Sequence, residues 1–368
     1  MSTNLVGARI KARREELGFS QEAVSRHLGF NDRQTLSAIE NGERRVSAEE
    51  LLKAAEVLAA PLEFFTDPFL LAGEGKFSWR QAGVVPTVLN GYEQDAGRLI
   101  AAFRTLGAQL GRRPPLLRRA LGLTKASSFE DAAAAGERFA GEFALGEAPA
   151  RRLAEVMEQE LGILVLMVDA IPGVSGAACR LPELDAVLIN RTEVPGRRHY
   201  DLAHELFHLL TWDTMPPERV EDTRGPVRGR VEQLADNFAG ALLMPAPVLD
   251  RFGGWAGLDA DVLATKLNDA ADELGVTSVA LKWRLVGAGR LPKAVAQAVD
   301  DARLRHNGRS AAARETLPLF SKPFAELLAQ ALDQGRLSVR RAASLLGLAV
   351  DDLEDAFSAH GVDVEIGL

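Results

Sequence analysis

The chain has 368 residues, 47% hydrophobic and 26% charged, with a formal net charge of −8. That length exceeds what one core usually organises, so two or three domains are expected, and the acidic balance excludes a general polyanion binder. The lone Cys179 excludes an internal disulfide. No apolar run is long enough to span a bilayer and no signal-peptide core opens the chain, which leads us to expect a cytoplasmic protein without a membrane partner.

The pattern along the chain is mainly α with a small α/β core. An all-α domain is expected over residues 1–70, a linker and helical lead-in over 71–148, a central α+β domain over 149–290 and a helical C-terminal region over 291–368. Residues 4–17 form an amphipathic helix stopped by Gly18, and Ser20 caps a second helix that ends at Leu28. After the turn Gly29-Phe30-Asn31, Asp32 caps a third helix with Leu36 and Ile39 facing in and Arg33, Gln34, Thr35 and Ser37 facing out. Glu40-Asn41-Gly42 closes it, and Ser47 with Glu50 has capping-box spacing before Leu51.

This series over residues 4–66 resembles the Cro/repressor-type helix-turn-helix of the XRE family. The resemblance implies that Arg33 and Gln34 enter the major groove of operator DNA, where forked donors suit guanine and adenine edges, and that Gln21 and Asn41 contact phosphates. It also implies a homodimer reading two half-sites. Basic and acidic residues balance over residues 1–60, with one local cluster at Arg9, Lys11, Arg13 and Arg14. Nonspecific DNA affinity is therefore expected to be modest and salt-dependent.

Phe64 to Leu71 continues from the last of these helices, and Gly73-Glu74-Gly75 reads as a flexible break. Helices are expected at about 91–110, 115–122 and 128–144, with a turn from Gly111 to Pro115, and another from Pro149 to Leu161 opens the central domain. Gly173 to Ala177 reads as a turn.

The most informative residues are His204-Glu205-Leu206-Phe207-His208. Two histidines four apart on a helix share one face, two neutral imidazoles can take two positions on Zn²⁺, and the adjoining carboxylate Glu205 is placed to take a proton from water. No histidine follows His208 until His306, so a third ligand must be a carboxylate among Asp213, Glu218, Glu221, Asp222, Glu232 and Asp236. Glu232 is best placed, on a helix expected over Val231 to Leu243, with Asp236 one turn on to accept the outer N–H of a ligand histidine. Tyr200 and His199 lie off the ligand face, and no residue is identified for the oxyanion.

The run Ala203 to His208, then Glu232-Gln233-Leu234-Ala235-Asp236-Asn237-Phe238-Ala239 and Leu242-Leu243-Met244-Pro245, resembles the ImmA/IrrE family of zinc metallopeptidases. The resemblance implies a zincin-like domain with His204, His208 and Glu232 as ligands, Glu205 as catalytic carboxylate, and helix-turn-helix repressors as substrates. It also implies a short sheet, for which Ile163 to Val168 and Ala186 to Asn190 read as strands, the second a candidate edge for a substrate peptide.

Near the C-terminus, Ser338 to Gly347 echoes Ser20 to Gly29 in cap, apolar spacing and closing glycine. The helix after it is acidic (Asp351, Asp352, Glu354, Asp355), which favours packing or protein binding over DNA reading. The resulting expectation is a DNA-binding regulator whose zinc endopeptidase cleaves a regulatory protein, such as a repressor or a toxin–antitoxin partner. Its rival is a repressor or antitoxin whose peptidase-like domain binds without cleaving. A third reading, in which DNA activates the protease, has no dedicated sequence feature.

Overall fold

The computed structural model describes residues 5–112, 116–223, 229–255, 257–309 and 317–364, with backbone alone at 222. Five helices open the chain: α1 (Leu5–Glu16), α2 (Gln21–Leu28), α3 (Arg33–Glu40), α4 (Ala48–Val57) and α5 (Leu62–Thr66). The expected caps form: Ser20 accepts from Ala23 N, Asp32 from Thr35 N, and Ser47 with Glu50 makes a full capping box. Ile10, Val24, Leu28, Leu36, Ile39, Ala54, Leu58 and Phe65 give this unit a core of its own.

The rest is built on one five-stranded mixed sheet of order β2-β4-β3-β1-β5. The strands are β1 (Lys76–Gln81), β2 (Leu164–Val168), β3 (Val174–Arg180), β4 (Asp185–Asn190) and β5 (Val220–Asp222). β3 runs antiparallel to β1 and β4, while β2 is parallel to β4 and β5 is parallel to β1. Alternation along β2 sends Val165 to one face and Leu164 and Leu166 to the other, and both faces are covered.

On the first face lie α7 (Phe129–Glu142), α8 (Pro149–Gln159), α9 (Pro195–Thr211) and α10 (Arg230–Leu243), followed by α11 (Ala246–Asp250), α12 (Ala260–Leu274), α13 (Ser278–Gly287), α14 (Lys293–Ala298) and α15 (Asp301–Leu304). On the second lie α6 (Pro86–Gln109), α16 (Lys322–Asp333), α17 (Val339–Leu346) and α18 (Asp352–Ser358). Helix α17 repeats the capped geometry of α2, with Ser338 accepting from Arg341 N and Gly347 closing it at φ 66. The apolar residues Ala342 and Leu345 of α17 and Leu353 and Phe357 of α18 are spent on the core, as a packing role requires.

Several expectations are corrected. Residues 116–122 are not helical, because their backbone donors go to other elements: Leu117 N to Leu161 O and Leu121 N to Leu210 O. Gly173 to Ala177 is not a turn throughout, since β3 begins at Val174. Strand β4 is not an edge; β2 and β3 flank it, so no peptide can pair with it. Nor is Gly73-Glu74-Gly75 a loose break: Glu74 lies 3.8 Å from Arg9 and 3.6 Å from Arg104, tying the first unit to α6.

Candidate metal centre

Helix α9 lies across β3 and β4 with Pro195 in its first turn, and every residue from Asp201 to Thr211 is buried. One turn apart on it, His204 Nε2 and His208 Nε2 stand 3.2 Å from each other. Glu205 points at the sheet, where Gly176 of β3 makes room: a Cβ there would lie 2.9 Å from Leu188 O and 3.7 Å from Glu205 Cγ.

The carboxylates come from two other elements. Glu232 on α10 places Oε2 3.0 Å from His204 Nε2 and 3.5 Å from His208 Nε2. Asp236, one turn further on, sets Oδ1 3.2 Å from His204 Nδ1, and Tyr200 Oη donates to the Asp236 carbonyl at 3.0 Å. Glu221 on β5 brings Oε2 to 3.5 Å from His204 Nε2. α10 is held in place by α7, whose Gly136 passes so close that a Cβ would lie 2.4 Å from Phe238 O.

One donor atom each from His204, His208, Glu221 and Glu232 thus lies within 4.8 Å of all the others. Zinc bonds of about 2.0–2.1 Å imply ligand–ligand separations of roughly 3.3–3.5 Å in a tetrahedron. The separations among His204, His208 and Glu232, and from His204 to Glu221, run from 3.0 to 3.5 Å and fit that size, and the mixed imidazole and carboxylate set suits such an ion.

The electrostatics agree. Burial and Arg80 both disfavour a charged His204, yet Asp236, Glu221 and Glu232 outweigh them and hold its pKa well above the usual range. Burial also works against ionised Glu232, but hydrogen bonds from His204 and His208 keep it far below the usual carboxylate range. The group therefore favours a positive charge at its centre. Glu205 differs: complete burial pushes its carboxyl up to about 7 against the pull of His208 and His204. A carboxyl so poised suits proton transfer near neutrality.

Two residues that the sequence did not flag complete the surroundings. Arg80 of β1, 4% exposed, lies 3.3 Å from buried Asp201, one turn before His204. Burial lowers its pKa, but Asp201, Glu221, Asp236 and Glu205 together raise it further. A cavity of about 1900 Å³, lined by Arg80, Tyr200, Asp201, Asp236 and Trp283 among others, reaches this outer layer but not the four donor atoms.

The residues expected at DNA sit apart, on α2 and α3. Arg33, Gln34 and Asn41 are exposed, and Thr35 and Ser37 half-buried. Gln21 is engaged within the fold, donating from Nε2 to Glu40 Oε2 at 2.8 Å. The basic cluster is also corrected: Arg9 is fully buried on the carbonyls of Phe64 and Leu70, Arg14 is buried on Glu40, and Arg13 donates to Leu58 O. Of the four, Lys11 alone is exposed.

Residues 10–65 match the family model described as Helix-turn-helix, and residues 158–285 match that described as IrrE N-terminal-like domain. The chain joins these two domains. The second match takes in all four donors, Glu205 and Asp236, but stops short of β1, α7 and the C-terminal helices. Over 60 residues, 16% of this chain, the sequence is 40% identical to an uncharacterized HTH-type transcriptional regulator of Sinorhizobium medicae, covering 42% of that protein. It is 37% identical over 60 residues to an uncharacterized transcriptional regulator in the ATPase CF(0) region of Rhodospirillum rubrum, covering 55% of it. The chain thus spans about half the length of these curated relatives. Bacillus thuringiensis PlcR, solved with the peptide PapR7 and DNA, aligns over 98% of this chain and 94% of its own at 11% identity. Its TM-score of 0.18 is too low to speak for a shared fold.

No helix among the described residues is long and apolar enough to cross a membrane.

Proposed function

We propose that this protein is a DNA-binding transcriptional regulator carrying a zinc-dependent endopeptidase. The observation behind this reading is the buried convergence of His204, His208 and Glu232 beside Glu205, a carboxyl not drawn into the donor group. His204, His208 and Glu232 would hold the ion. Zinc there supplies Lewis acidity toward water and a peptide carbonyl. Glu205 takes the proton from water and returns it to the departing amine, while the low-dielectric pocket around it excludes bulk solvent. Asp236 orients His204 through Nδ1, and Arg80 with Asp201 steadies the start of the catalytic turn.

The helix-turn-helix unit, presenting Arg33, Gln34 and Asn41 to solvent, reads an operator as a homodimer. A regulatory protein, such as a helix-turn-helix repressor or a toxin–antitoxin partner, is the substrate. The burial of His204, Glu205 and His208, each no more than 1% exposed, favours one rival, a peptidase-like domain that binds a partner without cutting it. Glu205→Gln separates the two. Under the proposal it keeps zinc and operator binding but abolishes cleavage of proteins encoded beside its operator; an unchanged cellular phenotype supports the rival.

A further inference from the structure

Glu221 reaches the donor group differently from its partners. His204, His208 and Glu232 stand on α9 and α10, two long helices packed into the core. Glu221 is the middle residue of three-residue β5, the outermost strand beyond β1. It pairs in register with Arg80, between Trp79↔Val220 and Gln81↔Asp222. Around this register, Trp79 N donates to Arg219 O at 2.9 Å and Thr223 N to Gln81 O at 2.8 Å. Arg219, just before it, is tied to Asn90 and Glu93 of α6, but among the described residues β5 is paired on one side only and is the shortest element contributing to the centre.

A hydrolytic zinc centre has three protein ligands and keeps a position for water or substrate, whereas four protein ligands make a closed, structural site. With Glu221 within 4.8 Å of the other three donors, the described group has four. The structure assigns Glu221 the role of a displaceable fourth ligand: a latch on edge strand β5 that closes the metal centre and opens one position to water when β5 parts from β1. This rests on the metal centre proposed above and adds its regulation. Release leaves no buried charge stranded, because Arg80 keeps Asp201 at 3.3 Å. Glu232, within 3.5 Å of both histidines on a helix locked by Gly136, stays behind as the permanent carboxylate.

The test uses the full-length protein with cobalt(II) in place of zinc and azide as the probe of an open position, followed by visible absorption. Wild type, Glu221→Gln, Glu221→Ala, Glu232→Ala and Thr223→Pro are compared after circular dichroism confirms their fold. Thr223→Pro removes the backbone donor that ties the end of β5 to Gln81 of β1 and leaves every ligand side chain in place. If the open state is a tenth or less of the population, releasing the latch strengthens azide binding by about tenfold or more. The expected result is one cobalt per chain in wild type and both Glu221 variants, with that gain in the Glu221 variants and in Thr223→Pro. Equal azide affinity in wild type and Glu221→Ala overturns the latch alone. So does loss of cobalt from Glu221→Ala as complete as from Glu232→Ala, which makes Glu221 a permanent ligand. Failure of folded wild type to take up cobalt overturns the metal centre and the latch with it.

Discussion

Arg14 and Glu40 meet across 26 residues, with Arg14 Nε 2.7 Å and Nη2 3.0 Å from the two carboxylate oxygens of Glu40. Their side chains are 9% and 1% exposed, and the pair fastens α1 to the end of α3. Glu40→Ala leaves the guanidinium with Glu15, 3.3 Å away and largely exposed, as its remaining counter-charge, so the loss should approach the roughly 3–5 kcal/mol of a broken buried pair. Calorimetry of the full chain should show the helix-turn-helix transition moving to lower temperature while the remainder melts as in wild type. An unmoved transition contradicts the structural role given to Arg14.

Base reading is expected to lie with Arg33 and Gln34, the exposed residues opening α3. Replacing both by Ala should cost roughly 1–3 kcal/mol per lost bidentate contact and relax operator specificity. Metal content should not change. Footprinting at several salt concentrations checks this, and full protection of the same operator by the double variant would reassign the N-terminal unit to dimerisation or substrate docking.

Metal retention should follow the donor geometry. Glu232→Ala removes most of the zinc, because Glu232 faces both histidines, whereas Glu218→Ala, on an exposed residue outside the donor group, leaves it in place. Asp236→Ala weakens affinity by about 10- to 100-fold through the loss of support at His204 Nδ1. Competition with a chromophoric chelator measures all three, and full zinc in the Glu232 variant rules out the ligand assignment.

A pH dependence should appear at Glu158, which is outside the donor group. Burial pushes its carboxyl up to about 7, against the nearby Ser321 side chain and Val165 backbone, which pull it down. The unfolded value is about 4.3. The folded pKa is thus the higher one, so the folded state holds the proton more tightly; its contribution is fully present below about pH 4 and lost as pH rises through 7. Glu158→Gln should therefore raise the melting temperature at pH 8 and leave it nearly unchanged at pH 4. Equal shifts at both values would contradict the assignment.

What the sequence made legible was local. Ser20, Asp32 and Ser47 each cap a helix a few residues away, and His204 and His208 share a helical face whatever surrounds them. Hidden features depended on partners distant in the chain. Strand β1 carries Ser78, Arg80 and Gln81 into a buried setting, against the usual polar-out pattern, and β3 is largely small residues without alternation. Arg9 and Arg14 looked like surface charge because Glu74 and Glu40 lie so far along the sequence. Glu221 was one carboxylate among six until β1 gave its strand a place to dock.

Strand β1 and helix α7 lie before residue 149, yet they frame the centre. A fragment beginning there would retain every donor and still fail as a protein. β3 would present a bare row of hydrogen-bonding groups where β1 had been, an invitation to pair with other molecules. Buried Asp201 would keep only Arg197, at 3.6 Å, in place of Arg80, and α10 would lose the helix that seats Glu232. Anyone dissecting this molecule should expect inclusion bodies from that cut, and should start the fragment ahead of Lys76.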